Sequence, residues 1–143
     1  MREDLYTIKY FDRVKDFIDL DCLQDEEMKK ILRDSFLLYF TDLTSCANKI
    51  RVFLDLYLTQ LGVPETLSDG GFYPLGLRIK DCKKIKAEQK KKLTILKNVG
   101  NEGSHGGGII SHNELYKTYK VLEEIINQNR NIQFLSSLGE RFS

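Results

Sequence analysis

The sequence predicts an all-α protein that folds as a single compact bundle of five or six helices. Apolar residues recur at intervals of three and four along most of the chain, and no segment has a convincing strand pattern. Only two prolines, Pro64 and Pro74, interrupt the chain, so long helices are permitted. With 143 residues, of which 41% are hydrophobic, the chain can enclose one core, and we assign residues 1–143 to one domain.

Composition and charge restrict the partners, cofactors and location that we expect for this protein. The formal net charge of +1 creates no overall attraction to nucleic acid or membrane, although it is compatible with a local patch. No apolar run reaches the roughly 20 residues that span a bilayer, and no signal-peptide pattern opens the chain. Cys22, Cys46 and Cys82 form no C-x-x-C pair. We therefore predict reduced thiols, no metal, no cofactor, no membrane partner and a cytoplasmic location.

The first two predicted helices flank an acidic cluster. Apolar residues at helical spacing predict an amphipathic helix over residues 3–20, peripheral to the bundle; they are Leu5, Ile8, Phe11, Val14 and Ile18. Asp21 or Asp25 is the predicted N-cap of the second helix. That helix directs Met28, Ile31, Leu32 and Phe36 toward the core. An acidic metal loop is the alternative, but the cluster lacks the regular Asp/Asn spacing and central glycine of a calcium loop.

The third predicted helix has the most regular apolar stripe in the chain. The stripe consists of Leu43, Ala47, Ile50, Leu54, Tyr57 and Leu61. Gly62 suits the position just past its C-terminus, and Pro64 follows two residues later. Arg51 and Asp55 lie one turn apart beside the stripe. They predict either an ion pair within the helix or an arginine that Asp55 orients toward a ligand.

A lysine-rich segment follows a loop over residues 65–74. A short helix from Leu75 is predicted to include Cys82 and Ile85, and residues 80–97 contain eight lysines against Asp81 and Glu88. A solvated helix face is one interpretation, and a surface for RNA or DNA phosphates is the other. The candidate nucleic-acid-binding residues are Lys83, Lys84, Lys86, Lys90, Lys91 and Lys92. Since no aromatic residue interleaves these lysines, stacking of single-stranded bases is not indicated.

The last predicted helix begins with a capping box. Ser111 is the predicted N-cap and Glu114 the N3 residue, with Ile110 and Leu115 as the hydrophobic staple. We expect this helix to fray over residues 127–131. Residues 132–143 are then a peripheral docking segment or a disordered tail.

Between the lysines and the capping box, residues 96–108 read L-K-N-V-G-N-E-G-S-H-G-G-G. If the helix continues to His105, then Asn101 and His105 project from one face on successive turns. Histidine can act as a general acid or base near neutral pH, and asparagine can orient it or bind a phosphate oxygen. Lys97, one turn before Asn101, can supply positive charge. The alternative is a buried His105 that only stabilises the turn.

Two sequence elements in this order carry a family resemblance. Residues 51–55 read R-V-F-L-D, and residues 100–105 read G-N-E-G-S-H, with the lysine-rich helix between them and an amphipathic helix after them. This arrangement resembles the HEPN superfamily of α-helical domains associated with nucleic acids and nucleotides. The resemblance covers roughly residues 25–128. It is greatest to a group of uncharacterised domains with a G-N-x-x-x-H signature found in bacterial restriction and phage-defence proteins.

The resemblance implies a dimeric, metal-independent ribonuclease. In that superfamily a histidine and an arginine assist attack of the ribose 2′-hydroxyl on the adjacent phosphate. His105 matches the histidine and Asn101 the polar residue of the motif, whereas the arginine position falls on Gly100. Lys97 and Arg51 are the candidate replacements, so the catalytic candidates are His105, Asn101, Lys97 and Arg51.

The expected function is therefore that of a HEPN-like domain with a degenerate ribonuclease motif. We expect a homodimer that engages RNA or another phosphate ligand, with a larger defence protein as a further partner. The absent motif arginine argues against efficient catalysis, because no guanidinium then faces the phosphate from that position. The alternative is a non-catalytic dimerisation or docking module of a larger nuclease or helicase assembly.

Overall fold

The structure, a computed structural model, describes residues 17–105 and 110–142, but not the side chains of residues 103–105 and 132–133. Those ranges contain five α-helices and no strand, which confirms the all-α prediction. We number the helices α1 (Glu26–Leu38), α2 (Leu43–Gln60), α3 (Leu75–Asp81), α4 (Ala87–His105) and α5 (His112–Phe142). A short 3₁₀ helix, Leu20–Cys22, precedes α1.

Local side-chain caps start three of these helices. Asp25 Oδ1 accepts a hydrogen bond from the Met28 N–H at 3.0 Å, which selects Asp25 over Asp21 as the cap of α1. Asp42 caps α2 in the same way. The capping box of α5 is confirmed, since Ser111 Oγ accepts from the Glu114 N–H at 3.1 Å and Glu114 Oε1 accepts from the Ser111 N–H at 3.0 Å. Each bond satisfies an N–H that has no partner within its own helix.

The end of α2 is a Schellman motif centred on Gly62. Gly62 has φ +92°, a conformation that side chains disfavour. Its N–H donates to the Thr59 carbonyl, and the Val63 N–H reaches back to the Leu58 carbonyl, both at 3.0 Å. The predicted stop signal at Gly62 is therefore confirmed.

Helix α2 lies at the centre of the bundle. It packs against α1 and α4, and α4 also contacts α3 and α5. Its buried stripe consists of Cys46, Ala47, Ile50, Phe53, Leu54, Tyr57 and Leu58. A buried polar chain crosses the core from this stripe: the Tyr119 hydroxyl donates to Ser35 Oγ at 2.7 Å and lies 3.0 Å from Cys46 Sγ. Since the single Tyr119 proton goes to Ser35, the Cys46 thiol donates to Tyr119.

Two predicted boundaries near the ends of shorter elements are wrong. The predicted helix over residues 3–20 lies mostly outside the described residues, but residues 18 and 19 are not helical and the 3₁₀ helix begins at Leu20. Helix α3 ends at Asp81, so Cys82 and Ile85 belong to the connection rather than to the helix. Both are nevertheless buried, because the connection folds back onto the core.

The C-terminal region also differs from the prediction. Helix α5 continues to Phe142, so fraying at residues 127–131 and a separate segment over residues 132–143 are wrong. Ile125, Ile126 and Asn129 are buried and hold the middle of the helix against the bundle. No proline interrupts residues 112–142. Phe134, Leu135 and Phe142 are more than 60% exposed.

Among the described helices, none has the length and apolar character needed to cross a membrane.

Candidate functional site

The second half of α4 lies against the middle of α2, and the two helices approach most closely at Gly100. A Cβ atom at Gly100 would lie 2.6 Å from Arg51 Cβ, 3.3 Å from Arg51 Cα and 3.4 Å from the Ala47 carbonyl oxygen. Favourable contacts between carbon atoms are about 3.5–4.0 Å long. A side chain therefore does not fit at position 100 in this packing, and the arginine that the ribonuclease motif places there has no room.

The Cβ atom of Arg51 lies close to the position that a Cβ atom would take at residue 100. The 2.6 Å separation is between its Cβ and the hypothetical Cβ of residue 100. Arg51 is half-buried, and its Nε–H is buried with no hydrogen-bond partner within the described part of the chain. A buried guanidinium donor without a partner is unfavourable, so Arg51 would bind an acceptor that reached it, although the neighbours that bury Nε must then move.

The predicted pairing of Arg51 with Asp55 is wrong. Asp55 Oδ1 instead accepts from Arg78 NH1 of α3 at 2.7 Å. Arg78 is only 2% exposed. Its remaining donors bind Thr59 Oγ1 at 2.9 Å and the Val63 and Pro64 carbonyls at 3.1 Å. Asp55 therefore holds α3 against the end of α2, and it orients no arginine toward a ligand.

Arg78 is not among the site residues predicted from the sequence, although its spacing contains a signal. Leu75 and Ile79 are buried on the same short helix, and Arg78 and Ile79 lie at positions i+3 and i+4 from Leu75. A helical period therefore places Arg78 on the buried face. A buried arginine requires acceptors, which the carbonyls after the Gly62 turn provide.

Helix α4 continues to His105, as the interpretation of the Asn101/His105 turn requires. Asn101 and His105 therefore occupy successive turns of one helix, and Asn101 is half-buried. The His105 side chain and residues 106–108 lie outside the described part of the structure. The roles predicted for the imidazole and for the glycines after it remain predictions.

Lys97 extends from α4 toward α3 rather than toward α2. Its Nζ lies 3.2 Å from the position that a Cβ would take at Gly76, so the ammonium group covers that glycine. Arg51, by contrast, contacts α4 at Gly100. The two candidate phosphate-binding cations are thus associated with different neighbours of α4, and Arg51 is the one beside the residue that precedes Asn101.

The six candidate nucleic-acid-binding lysines do not share one surface. Lys90 and Lys91, with Lys80, line a groove of about 520 Å³ between α3 and α4. Lys83 and Lys84 line a separate depression of about 360 Å³ beside Gly62. Lys86 lines a third depression of about 270 Å³, whose other residues are Glu88, Gln89, Gln128 and Asn131.

Lys92 is engaged in ion pairs within the protein. Its Nζ lies 2.7 Å from Glu124 Oε1 and 3.8 Å from Glu88 Oε1. The hydrogen bond to Glu124 raises the pKa of Lys92 above its ordinary value. Lys92 therefore joins α4 to α5, and its charge is already balanced.

The described residues contain no group of three or more His, Cys, Asp or Glu side chains placed to hold a metal ion. Cys22, Cys46 and Cys82 are free and buried. Burial raises the pKa of Cys46 to about 11, so its thiol stays protonated at neutral pH. Cys46 is therefore a poor nucleophile.

Comparison with known proteins identifies a family. Neither the curated proteins nor the solved structures include a significant match. A family profile described as a domain of unknown function, DUF4145, matches residues 34–136, from α1 to α5. The matched region includes Arg51, Gly100 and Asn101 and covers more than half of the chain. The chain therefore belongs to the DUF4145 family.

Proposed function

We propose that this chain is a HEPN-like domain of a bacterial defence or toxin-type system that engages RNA or another phosphate ligand at the end of α4. The observation that carries the proposal is the contact of Arg51 with Gly100. The Arg51 side chain starts beside the position that the motif assigns to arginine, and its Nε–H is buried with no partner within the described residues, which supports a role for Arg51 toward a phosphate. Arginine donates to phosphate oxygens through two parallel hydrogen bonds, which makes it suited to this ligand.

In the catalytic form of the proposal, each residue has a separate role. His105 accepts the proton of a ribose 2′-hydroxyl as the oxygen attacks the adjacent phosphorus. The bond from phosphorus to the 5′-oxygen breaks, and that oxygen leaves with a proton, so a cyclic phosphate and a 5′-hydroxyl are formed. Arg51 stabilises the negative charge that grows on the phosphate. Asn101 orients the imidazole or binds a phosphate oxygen. Lys97 adds positive charge from the α3 side.

Exposed lysines outside the α3–α4 groove supply non-specific affinity for RNA in this proposal. Lys83, Lys84 and Lys86 are exposed. Phosphate contacts from such residues need no particular sequence and weaken as salt is added. Lys92 contributes less, because Glu124 and Glu88 already neutralise it.

The direct test is incubation of the purified protein with single-stranded and structured RNA in the presence of EDTA. The catalytic form predicts cleavage that disappears in His105→Ala and falls by roughly 100-fold or more in Arg51→Ala, as for loss of a group that stabilises transition-state charge. Arg33→Ala is the matched control, because Arg33 is an exposed arginine of α1 and its loss should leave cleavage unchanged.

Absence of cleavage on every RNA removes the catalytic form and leaves the binding form. Binding is then measured by fluorescence anisotropy over a range of salt concentrations. Affinity that is lost in Arg51→Ala and kept in Arg33→Ala supports a phosphate site at Arg51. Equal loss in the two variants, or no affinity for RNA in the wild type, refutes the RNA proposal.

The second candidate function is a non-catalytic dimerisation or docking module. It is favoured by the exposed apolar side chains at the outer end of α5, Phe134, Leu135 and Phe142. Sedimentation of the wild type and of Phe134→Ser/Leu135→Ser distinguishes the two states. A dimer that dissociates in the double variant supports the homodimer, and a wild type that is monomeric at high concentration refutes it.

A further inference from the structure

We propose that the groove between α3 and α4 binds a short acidic segment of a partner protein that also carries aliphatic side chains. We call it the basic groove. It is lined by Gly76, Ile79, Lys80, Lys90, Lys91, Thr94 and Ile95. The proposal concerns a different surface from the Arg51 contact, and it does not depend on binding of RNA there.

The floor of the basic groove is aliphatic. Ile79 is almost fully buried beneath it, and Ile95 exposes 58% of its surface to solvent. Gly76 adds no side chain of its own to the floor, and the Lys97 ammonium group beside it adds a further positive charge. Burial of the exposed part of Ile95 by a partner is favourable at about 25 cal/mol for each Å² removed from water. An aliphatic side chain of a ligand therefore gains contacts here that a fully polar ligand does not.

The rim of the basic groove is positive. Lys80, Lys90 and Lys91 line it, and no residue that lines it is acidic. Lys90 Nζ donates to the Lys80 carbonyl at 2.5 Å, which fixes the ammonium group at the C-terminal end of α3. Two of its three N–H donors remain for a carboxylate.

The neighbouring acidic residues do not neutralise this rim. Asp81 accepts a hydrogen bond from the Tyr73 hydroxyl, which directs it away from the groove and toward the loop before α3. Glu88 and Glu124 both pair with Lys92. The positive charge of the groove is therefore available to carboxylates of a partner.

The lining favours a peptide over single-stranded RNA as the occupant. Base stacking on aromatic rings supplies much of the affinity in surfaces that bind single strands, and no aromatic residue lines this groove. Aliphatic side chains and carboxylates match the isoleucines and lysines that are present. The volume of about 520 Å³ is that of a site for one small ligand, so a few side chains of a short segment can fill it.

The proposal is tested by selection from a random-dodecapeptide display library against the full chain. We expect the enriched peptides to combine Asp or Glu with Leu, Ile or Val, and we expect that enrichment to be lost on Lys91→Glu. The most enriched peptide is then synthesised with a fluorescent label, and its affinity is measured by anisotropy. Lys91→Glu should weaken binding roughly tenfold, and Ile95→Ser roughly fivefold.

Two matched variants control for general effects of charge and hydrophobicity. Lys30→Glu makes the same charge change at an exposed position of α1 outside the groove, and Leu37→Ser removes a comparably exposed apolar side chain from α1. Both should leave the affinity within about twofold of the wild type. A peptide in which one acidic residue is replaced by lysine should recover binding to Lys91→Glu, which a folding defect would not allow.

Selection of peptides without acidic residues, or equal enrichment on wild type and Lys91→Glu, overturns the proposal. Loss of affinity in the two control variants equal to that in the groove variants also overturns it. The proposal is also overturned if dodecauridylate displaces the peptide and if Ile95→Ser weakens the binding of dodecauridylate. The groove is then a surface for RNA.

Discussion

Replacement of Gly100 by alanine adds one carbon atom at the closest approach of α2 and α4. That atom would lie 2.6 Å from Arg51 Cβ and 3.3 Å from Arg51 Cα. Both atoms belong to the helix itself rather than to the mobile end of a side chain, so a rotamer change of Arg51 does not remove the overlap. The two helices must separate by about 1 Å to restore an ordinary contact of about 3.5 Å or more.

Two opposing effects determine the change in the free energy of unfolding. Overpacking in a well-packed core costs about 1–3 kcal/mol, and overlap with a helix backbone places this substitution at the upper end. Alanine is favoured over glycine inside a helix by about 1 kcal/mol, which offsets part of the cost. We therefore expect Gly100→Ala to destabilise the protein by about 2 kcal/mol and to lower its Tm by roughly 6 °C.

The assay is denaturation in urea followed by far-ultraviolet circular dichroism. Gly139→Ala is the matched control, because Gly139 lies in α5 and a Cβ there would meet nothing within 4 Å. It should stabilise the protein by up to about 1 kcal/mol. The double variant Gly100→Ala/Arg51→Gly should be less destabilised than the two single variants predict together. A Gly100→Ala protein as stable as the wild type would refute the close contact.

Two further predictions concern buried polar groups. Arg78→Met should destabilise the protein by about 3 kcal/mol in urea denaturation, because it leaves Asp55 and two carbonyls unpaired; Arg51→Met should cost less than about 1 kcal/mol, and equal losses would contradict the assigned ion pair. Burial raises the pKa of Cys46 from 9.0 to about 11, so the unfolded chain loses this proton first and stability falls as the pH rises from 9.0 toward 11. In Cys46→Ala the fall should be shallower by up to about 1.4 kcal/mol per pH unit, and identical pH profiles would contradict the raised pKa.

The predictions that succeeded depend on residues close together in sequence. Asp25 and Ser111 start their helices through bonds to residues three positions away, and Gly62 ends α2 within one turn. The apolar stripe of α2 is likewise a local pattern. Such features require only helical geometry, and they specify most of the all-α fold.

The predictions that failed depend on contacts between elements. Asp55 had a plausible partner one turn away in Arg51, but Arg78, which lies 23 residues later, provides the bond. The lysine-rich segment is divided for a related reason, while the roles predicted for its lysines remain predictions. Helix α3 ends at Asp81 and α4 begins at Ala87, so the connection breaks the helical phase and separates Lys83 and Lys84 from Lys90 and Lys91.

The absence of the motif arginine at position 100 has a structural cause. In the sequence alone, glycine at the motif position indicates that the guanidinium has been lost. In the packed bundle, the same glycine allows α2 to approach α4, and that approach places Arg51 beside it. The two positions are therefore coupled: an arginine restored at position 100 has no space unless α2 moves away and takes Arg51 with it. Gly100→Arg should consequently unfold the protein rather than create a stronger site. In the proposed mechanism, Arg51 of α2 stabilises the negative charge on the phosphate. This requires Gly100 in α4, because a side chain at position 100 would keep α2 and Arg51 away.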